Sequence, residues 1–390
     1  MAEGGPLQGI KVVEMVGIGP APFTAMMLAD LGAEVIRIDR PTPSGNGIVR
    51  AARFDLVARG RRSVILDLKR PEAVACALDL VAGADALIEG FRPGVMERLG
   101  LGPDACHARN PRLVYGRLTG WGQAGPLAQI PGHDLNYLGL SGILDMIGRE
   151  GEAPVPPLNL VADYAGGSLM LVAGLLAALV NVQRGGEGQV VDAAMVDGVA
   201  LLGTAMAGLR AAGLHNGPRG TNILDGGAPY YDVYACADGA YLSVAPIEPK
   251  FRAAFLATLG FDAGGFPDLD DRSAWPEARR LIAARISERS RDDWCALFDG
   301  SDACVTPVLT PLEAPHHPHN AARGTHVDIG GIVQPAPAPR FDKTPAPLPA
   351  APEERPGTEG AAALEDWGID PGRIAELIET GAARAPRQQE

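Results

Sequence analysis

Apolar and polar segments alternate over residues 1–120 in a pattern typical of β–α–β units. Residues 10–16 and 34–39 are predicted to form strands, and residues 23–31, which end at Gly32, predict a helix between them. Further strands are predicted at 63–68, 86–89 and 113–118, with a helix at 72–81. Strands that alternate with helices form a parallel sheet covered on both faces. The pattern therefore predicts an α/β protein with a large, doubly wound, Rossmann-like parallel sheet.

The loops at the carboxyl ends of these strands are the expected place for a ligand, because open parallel sheets bind ligands there. They follow Val16, Asp39, Leu68, Glu89 and Leu118. The loop Gly17-Ile18-Gly19 is similar to the start of a dinucleotide-binding loop. Pro22, however, stands where that loop needs its third glycine, so NAD is not the expected ligand.

A different pattern begins near residue 225. Two strands at 230–236 and 241–245 flank an Asp-Gly turn, and helices at 251–259, 275–288 and 291–298 precede a strand at 303–309. This predicts a large domain over 1–200, a linker over 201–224 and a smaller α+β domain over 225–330. A proline-rich segment follows, and residues 331–390, with a last helix at 373–379, are expected to return to the large domain and complete it.

One segment is apolar enough to resemble a membrane span. Residues 164–182 carry no charge, and their length would nearly suffice to cross a bilayer. A helix that is apolar all round also suits the middle of a large protein. We predict a buried central helix and no membrane partner.

Composition excludes several classes of function. The chain has 390 residues and a formal net charge of −13, which argues against a nucleic-acid partner. Its five cysteines are scattered and form no CxxC pair, which predicts reduced thiols, no metal site and a cytoplasmic protein. The first residues have neither the basic nor the apolar stretch of a signal peptide, so none is expected.

Basic residues are concentrated in one segment of this acidic chain. Between Arg37 and Arg70 there are nine basic and three acidic residues, an excess of six positive charges. Arginine forks suit phosphate oxygens, so the segment predicts an anion-binding patch. The alternative is a basic loop that is simply solvated.

His133 and Asp163 are the candidate catalytic pair. A loop imidazole and a carboxylate near the start of a helix are side chains often used to move protons near neutral pH. The alternative is a hydrogen-bonded structural histidine and a helix-capping aspartate.

Several motifs together carry a resemblance to a known family. They are Gly9-Ile10-Lys11-Val12-Val13-Glu14, residues 31–41, Asp67-Leu68-Lys69, residues 84–94, Gly120-Trp121-Gly122-Gln123-Ala124-Gly125-Pro126, Gly132-His133-Asp134-Leu135-Asn136-Tyr137, residues 188–195 and Pro246-Ile247-Glu248-Pro249. On these residues the chain resembles the family III coenzyme A transferases (CaiB/BaiF), in their α-methylacyl-CoA racemase branch.

The resemblance implies two domains and an interlocked homodimer. It also implies that His133 and Asp163 are two bases and that Glu248 hydrogen-bonds the histidine. The CoA contacts that it implies are Arg40, Leu66, Asp67, Leu68, Lys69, Gly90, Phe91, Arg92, Arg98, Gly132, Asp134, Leu135, Asn136 and Tyr137, together with the His133 loop.

The expected function is therefore the interconversion of 2R and 2S 2-methylacyl-CoA thioesters through an enolate, with no cofactor besides the CoA of the substrate. Free N–H groups in the first helical turn near Asp163 are expected to stabilise the enolate oxygen. Candidates for an apolar acyl wall are Met195, Met206, Ile223 and Leu224. Two alternatives stay open: a CoA transferase in which Asp163 is the nucleophile, and a non-catalytic acyl-CoA-binding protein.

Overall fold

The computed structural model describes residues 4–42, 44–262 and 264–384. Contacts divide the chain into two compact units. The first contains the residues up to Ser141, Leu158–Leu202 and the chain from Gly324 onward, and the second contains Gly142–Pro157 and Gly203–Arg323.

This division differs from the predicted one at three places. Residues 324–330, predicted to end the smaller domain, belong to the first unit. Residues 142–157 belong to the second unit, because Arg149 pairs with Asp232 and Arg219 binds Asp145. The predicted linker 201–224 contains a helix of that unit and is therefore not a linker. Neither segment has a strong apolar period, so the pattern alone did not assign them.

The strands, in chain order, are β1 (Lys11–Met15), β2 (Glu34–Asp39), β3 (Arg61–Leu66), β4 (Ala86–Glu89), β5 (Val114–Thr119), β6 (Val190–Ala194), β7 (Asp232–Ala235), β8 (Tyr241–Val244), β9 (Val305–Val308), β10 (His326–Ile329), β11 (Ile332–Pro335) and β12 (Ala383–Arg384).

The α-helices are α1 (Pro20–Asp30), α2 (Pro71–Ala82), α3 (Val95–Arg98), α4 (Pro103–Arg109), α5 (Asp134–Leu140), α6 (Leu169–Gln183), α7 (Met195–Leu202), α8 (Thr204–Ala211), α9 (Pro249–Leu259), α10 (Trp275–Ile286), α11 (Arg291–Phe298), α12 (Pro318–Arg323), α13 (Gly360–Asp366) and α14 (Pro371–Glu379). Short 3₁₀ turns lie at Ala52–Phe54, Leu56–Ala58, Leu144–Met146, Arg272–Ala274 and Ala314–His316, and Leu160–Ser168 is a π-helix.

The first unit is built on a seven-stranded sheet. Its order is β12-β3-β2-β1-β4-β5-β6, and every neighbouring pair is parallel except β12 with β3. Strands β1 to β6 thus follow the order 3-2-1-4-5-6 of doubly wound sheets. The type of sheet was predicted, but its strand order and β6 were not. The order reverses between β1 and β4, so the loops after these two strands flank the crevice in which such sheets bind ligands.

The C-terminal part of the chain packs on this sheet. Leu364, Trp367, Ile374 and Leu377 share one apolar core with the side chains of β1 to β5 and α2. The proline-rich stretch runs beside β3, where the Gly60 N–H donates to the Ala350 carbonyl oxygen at 2.9 Å. The last helix therefore lies in the first unit, where the sequence placed it.

The second unit contains an antiparallel sheet in the order β7-β8-β9. β7 and β8 form the predicted hairpin, in which Gly239 has a left-handed φ of 77°. The core of the second unit includes aromatic side chains of its helices, among them Phe255, Trp294 and Phe298. This is the α+β character expected from the pattern.

The long apolar segment is one continuous helix, in which the π-helix Leu160–Ser168 leads into α6. Within the described residues it is the only helix long and apolar enough to cross a membrane, and about half of its most apolar window is buried. Leu171 and Leu175 are fully buried, whereas Leu169 and Val180 are exposed. The prediction of a core helix is right for one face only, because a uniformly apolar sequence does not reveal which face is covered.

Candidate active site

His133 immediately precedes α5 and has extended backbone, with φ −134° and ψ 173°. Its N–H donates to Asn136 Oδ1 at 3.0 Å, and the Asn136 N–H donates to the His133 carbonyl oxygen at 2.8 Å. These reciprocal bonds fix the start of the helix. They use only the main chain of His133, and the residue is exposed.

Asp134 ties this helix to the π-helix. Its buried carboxylate accepts the N–H groups of Ala162 and Asp163 through Oδ2, both at 2.8 Å. The prediction that these N–H groups are free to stabilise an enolate is therefore wrong. Asp134 was also a predicted CoA contact, but its side chain is 5% exposed and already engaged. Only its main chain could serve a ligand.

Asp163 lies half-buried in the fourth position of the π-helix, and not at a helix start as predicted. Its Oδ2 accepts a hydrogen bond from Asn159 Nδ2 at 3.1 Å. Burial raises the pKa of the Asp163 carboxyl above its usual range, and the charge of Asp134 acts in the same direction. The Asn159 hydrogen bond and the positive charge of His133 oppose that rise. The two predicted bases are therefore close enough to interact electrostatically.

Gly19 permits the close approach of the β1 loop to this carboxylate. A Cβ at Gly19 would lie 3.4 Å from Asp163 Oδ2, and the φ of 69° there disfavours other residues. The Phe23 ring of α1 stacks on the Tyr164 ring of the π-helix, with 4.5 Å between the ring centroids. This contact holds α1 against the π-helix. Gly19 thus faces a carboxylate, which would repel a pyrophosphate.

Tyr137 closes another side of the site. Its ring meets Trp121 edge-on at 4.7 Å, and it fills space that a Cβ at Gly120 or Gly132 would occupy. Burial raises the pKa of Tyr137 to about 12, with Asp163 as the next largest cause. Tyr137 therefore stays a neutral phenol beside Asp163, and only a small part of its side chain is accessible to CoA.

Nearly the whole chain is similar to known proteins. The family model for CoA-transferase family III matches residues 7–356. The chain belongs to CoA-transferase family III. The α-methylacyl-CoA racemases of Mus musculus and Homo sapiens are each 44% identical to it, over 95% of this chain and 96% of theirs. A CAIB/BAIF family protein from Brucella suis has a similar structure, with a TM-score of 0.78 and 28% identity over 93% of this chain and 100% of that one.

Four of the predicted CoA contacts in this family III chain have exposed basic side chains: Arg40, Lys69, Arg92 and Arg98. Within the part of the chain that the structure describes, none of these four side chains forms an ion pair. The Arg40 guanidinium lies 5.3 Å from the centre of the Phe91 ring. The Phe91 N–H donates to Glu89 Oε2 at 2.7 Å, so a buried carboxylate fixes the loop after β4.

The other predicted contacts differ in how exposed they are. Leu66 is 1% exposed and belongs to the core, so its predicted role could use only main-chain atoms. Asp67 accepts the Lys69 N–H at 3.3 Å, and Leu68 packs on the core. Gly90, Gly132, Leu135 and Asn136 lie in the loops that flank the site, and their contact with CoA stays a prediction.

The prediction of an anion-binding patch is wrong for most of the basic segment, because most of its arginines form ion pairs with acidic residues. Arg37, Arg59 and Arg61 are buried in ion pairs with Asp39, Asp30 and Glu14. Arg62 pairs with Glu34 and Asp366, and Arg50 pairs with Asp55. Most of these acids lie outside the window in which the charges were counted. A count along the chain could not include partners that only the fold brings together.

Glu248 lies in the second unit, directly before α9, where its carbonyl oxygen accepts the N–H groups of Phe251 and Arg252. Its side chain is exposed, and its pairing with His133 stays a prediction. Met195 is buried, 2.9 Å from the position of a Cβ at Gly167, and Ile223 packs on the core of the second unit. These two are therefore better explained as core residues than as an acyl wall.

Two residues of the site were not predicted. Asn159 stands four positions before Asp163, a helical spacing that could have suggested its hydrogen bond. Gly19 was considered only as part of a nucleotide-binding loop. The described residues contain no group of three or more metal-binding side chains, and the absence of a metal from the reaction stays a prediction.

Proposed function

We propose that this chain is an α-methylacyl-CoA racemase, an isomerase that interconverts the 2R and 2S epimers of 2-methylacyl-CoA thioesters. The observation that carries the proposal is the placement of an exposed imidazole and a half-buried carboxyl in one site, on a chain 44% identical to racemases over nearly its whole length. Asp163 lies beside the loop after β1, at the edge where doubly wound sheets bind ligands, and His133 is near enough for its charge to act on Asp163.

The thioester carbonyl acidifies the neighbouring carbon, because the carbanion delocalises into an enolate. One base removes the α-proton from one face, and the other group, in its protonated form, delivers a proton to the opposite face. The raised pKa of Asp163 favours its protonated form. Asp163 would then act as the acid when His133 is the base, and the roles would reverse for the other epimer.

The enolate oxygen needs hydrogen-bond donors. The N–H groups of Asp134 and Leu135 begin α5 next to His133, and neither has an acceptor among the residues that the structure describes. The first turn of a helix also favours negative charge. We assign these two N–H groups the stabilising role that Ala162 and Asp163 cannot fill.

The remaining parts of the proposal concern binding and assembly. Arg40, Lys69, Arg92 and Arg98 would hold the phosphates of CoA, and Glu248 would orient the imidazole of His133. The active form would be an interlocked cytoplasmic homodimer. The proton transfers need no cofactor beyond the substrate's own CoA.

CoA transfer is the second candidate, since the family takes its name from it. In that reaction Asp163 would attack the thioester as a carboxylate. Transfer gives no use to the imidazole beside that aspartate, whereas a two-base racemase uses both groups. This point favours racemisation.

The experiment is an incubation of one 2-methylacyl-CoA epimer with the full-length chain, with and without an acceptor carboxylic acid. We expect epimerisation at the same rate in both, and no covalent adduct on Asp163 by mass spectrometry. Turnover that requires the acceptor, with a hydroxylamine-sensitive adduct on Asp163, would establish transfer instead. Binding without turnover would leave an acyl-CoA-binding protein.

A further inference from the structure

Ser168 is a fully buried polar residue at the end of the π-helix, five positions after Asp163. Its Oγ lies 3.0 Å from the Asp163 carbonyl oxygen and 2.8 Å from the Pro20 carbonyl oxygen. A serine hydroxyl has one proton, so the two carbonyl oxygens share it. Neither the sequence motifs nor the proposed mechanism gives this residue a role.

The Asp163 carbonyl is part of the π-helix, in which each turn is wider than in an α-helix. In a π-helix each N–H bonds to a carbonyl five residues earlier, as the Leu169 N–H does with the Tyr164 oxygen. This widened turn determines the direction in which the Asp163 side chain leaves the helix. A buried hydroxyl on the Asp163 carbonyl therefore stabilises the backbone that directs the carboxyl.

The second partner of Ser168 belongs to the opposite wall of the site. Pro20 follows Gly19, whose α-carbon faces the Asp163 carboxylate. One hydroxyl thus links the backbone of Asp163 to the loop that its carboxylate approaches. Thr24, also fully buried, contacts the same Pro20 oxygen at 3.1 Å and the Ser168 carbonyl oxygen at 3.4 Å, but has no bond to Asp163.

The other face of the π-helix is tightly packed. A Cβ at Gly166 would lie 2.9 Å from Val199 Cγ2, and one at Gly167 would lie 2.9 Å from Met195 Cγ. The segment is therefore held on that face by packing and on the α1 face by the Ser168 hydroxyl. Loss of the hydroxyl would leave a buried carbonyl without this partner and allow the turn to relax.

We propose that Ser168 is a positioning residue for Asp163: its shared hydroxyl fixes the carboxyl at the distance from the β1 loop at which it transfers a proton. The inference rests on the proposed function, because it assumes that Asp163 acts on one epimer of the substrate. A displacement of about 1 Å in such a group can cost on the order of 100-fold in rate. Ser168 does not touch the substrate and acts only through Asp163.

The test measures α-proton exchange of each separate epimer in D₂O. Asp163→Ala identifies the epimer that faces Asp163, as the one whose exchange is lost. In Ser168→Ala we expect exchange of that epimer to fall about 10-fold to 100-fold, with KM and the exchange of the other epimer within about twofold of the wild type. Thr24→Val is the matched control, since it removes a hydroxyl from the same Pro20 carbonyl and from the Ser168 carbonyl but leaves the Ser168 hydroxyl on the Asp163 carbonyl in place, and it should leave exchange of that epimer within about twofold of the wild type.

Equal loss for both epimers in Ser168→Ala, or no loss for either, would overturn the inference. If the alanine variant does not fold, as judged by circular dichroism, Ser168→Cys decides, because it keeps a similar size and offers only a weak donor. A wild type that exchanges no α-proton would refute the proposed function. If the wild type exchanges the α-proton of both epimers and Ser168→Ala exchanges them at the same rates, only the role of Ser168 is refuted.

Discussion

Two buried acids in the first unit show why a raised pKa alone does not identify an active site. Burial raises the pKa of Glu14 to about 7, and burial also raises the pKa of Asp163. Glu14 lies inside the sheet on β1 and is fully enclosed, with Arg61 Nη1 3.1 Å from its Oε2. Asp163 lies at the carboxyl edge, half-buried, with one side-chain donor and no arginine partner among the residues described.

The difference lies in access and in charge compensation. Arg61, Arg37 and Asp39 enclose Glu14 in a network that no ligand can enter, so its proton affinity reflects the cost of burial. Asp163 is only half-buried and faces a glycine loop and an exposed histidine, which leaves its carboxyl accessible, as the proposed proton transfer requires. Perturbed groups are therefore candidates for function only when they also line an accessible site.

The largest effect on stability is expected from breaking the Glu14 network. Arg61→Met removes the ion pair, the bond to the Pro22 carbonyl at 2.6 Å and the contact with the Val57 carbonyl. Loss of one partner of a buried pair costs about 3–5 kcal/mol. We expect urea unfolding to show a loss of this size, while kcat per folded molecule stays within about threefold of the wild type.

Asp163→Asn is the counterpart, with kcat lowered at least 10²-fold and no loss of stability. The comparison fails if Arg61→Met lowers kcat as much as Asp163→Asn does, at temperatures where both variants are folded. It also fails if Arg61→Met leaves the free energy of unfolding unchanged.

The sequence predicts elements that have a regular apolar period, and it does not predict contacts between residues that are far apart along the chain. The sheet, the hairpin and the last helix follow from apolar periods, and each is found within a few residues of its predicted position. β6 was missed because its residues Val190–Ala194 do not alternate between apolar and polar, and β12 because two residues carry no period. The proposed catalytic pair was selected by residue type, whereas the residues that support it could not be selected in this way. The bond from Asp134 spans 29 positions, and the bond from Ser168 to Pro20 spans 148.

A second prediction separates the exposed from the paired arginines. Arg40→Glu should raise the KM for acyl-CoA about tenfold and weaken free CoA equally, because a charge-assisted phosphate contact is lost. The control is Arg109→Glu, an exposed arginine of α4 that pairs with Asp79. We expect Arg109→Glu to leave KM unchanged. Similar effects of the two variants, or none for Arg40→Glu, would remove Arg40 from the CoA site.

The smallest expected effect is on stability: the half-buried Asp163 carboxylate destabilises the folded protein when it is ionised. A carboxyl whose pKa is raised on folding stabilises the protein below its unfolded pKa, and this contribution is lost as the pH rises through the folded pKa. Asp163→Asn should therefore raise the melting temperature by about 1–3 °C near pH 8 and by less at about pH 4.5. A larger gain at the acidic pH would contradict the direction assigned to this pKa.

The most direct test of the two-base account follows deuterium incorporation at the α-carbon of each epimer in D₂O. Wild-type protein should give both epimers deuterated at that position, whichever epimer is supplied. His133→Ala and Asp163→Ala should each abolish epimerisation, and each should retain slow exchange of a different epimer, the one that faces its surviving base. Full activity of His133→Ala, or retention of the same epimer's exchange by both variants, would contradict the assignment of His133 and Asp163 to opposite faces of the substrate.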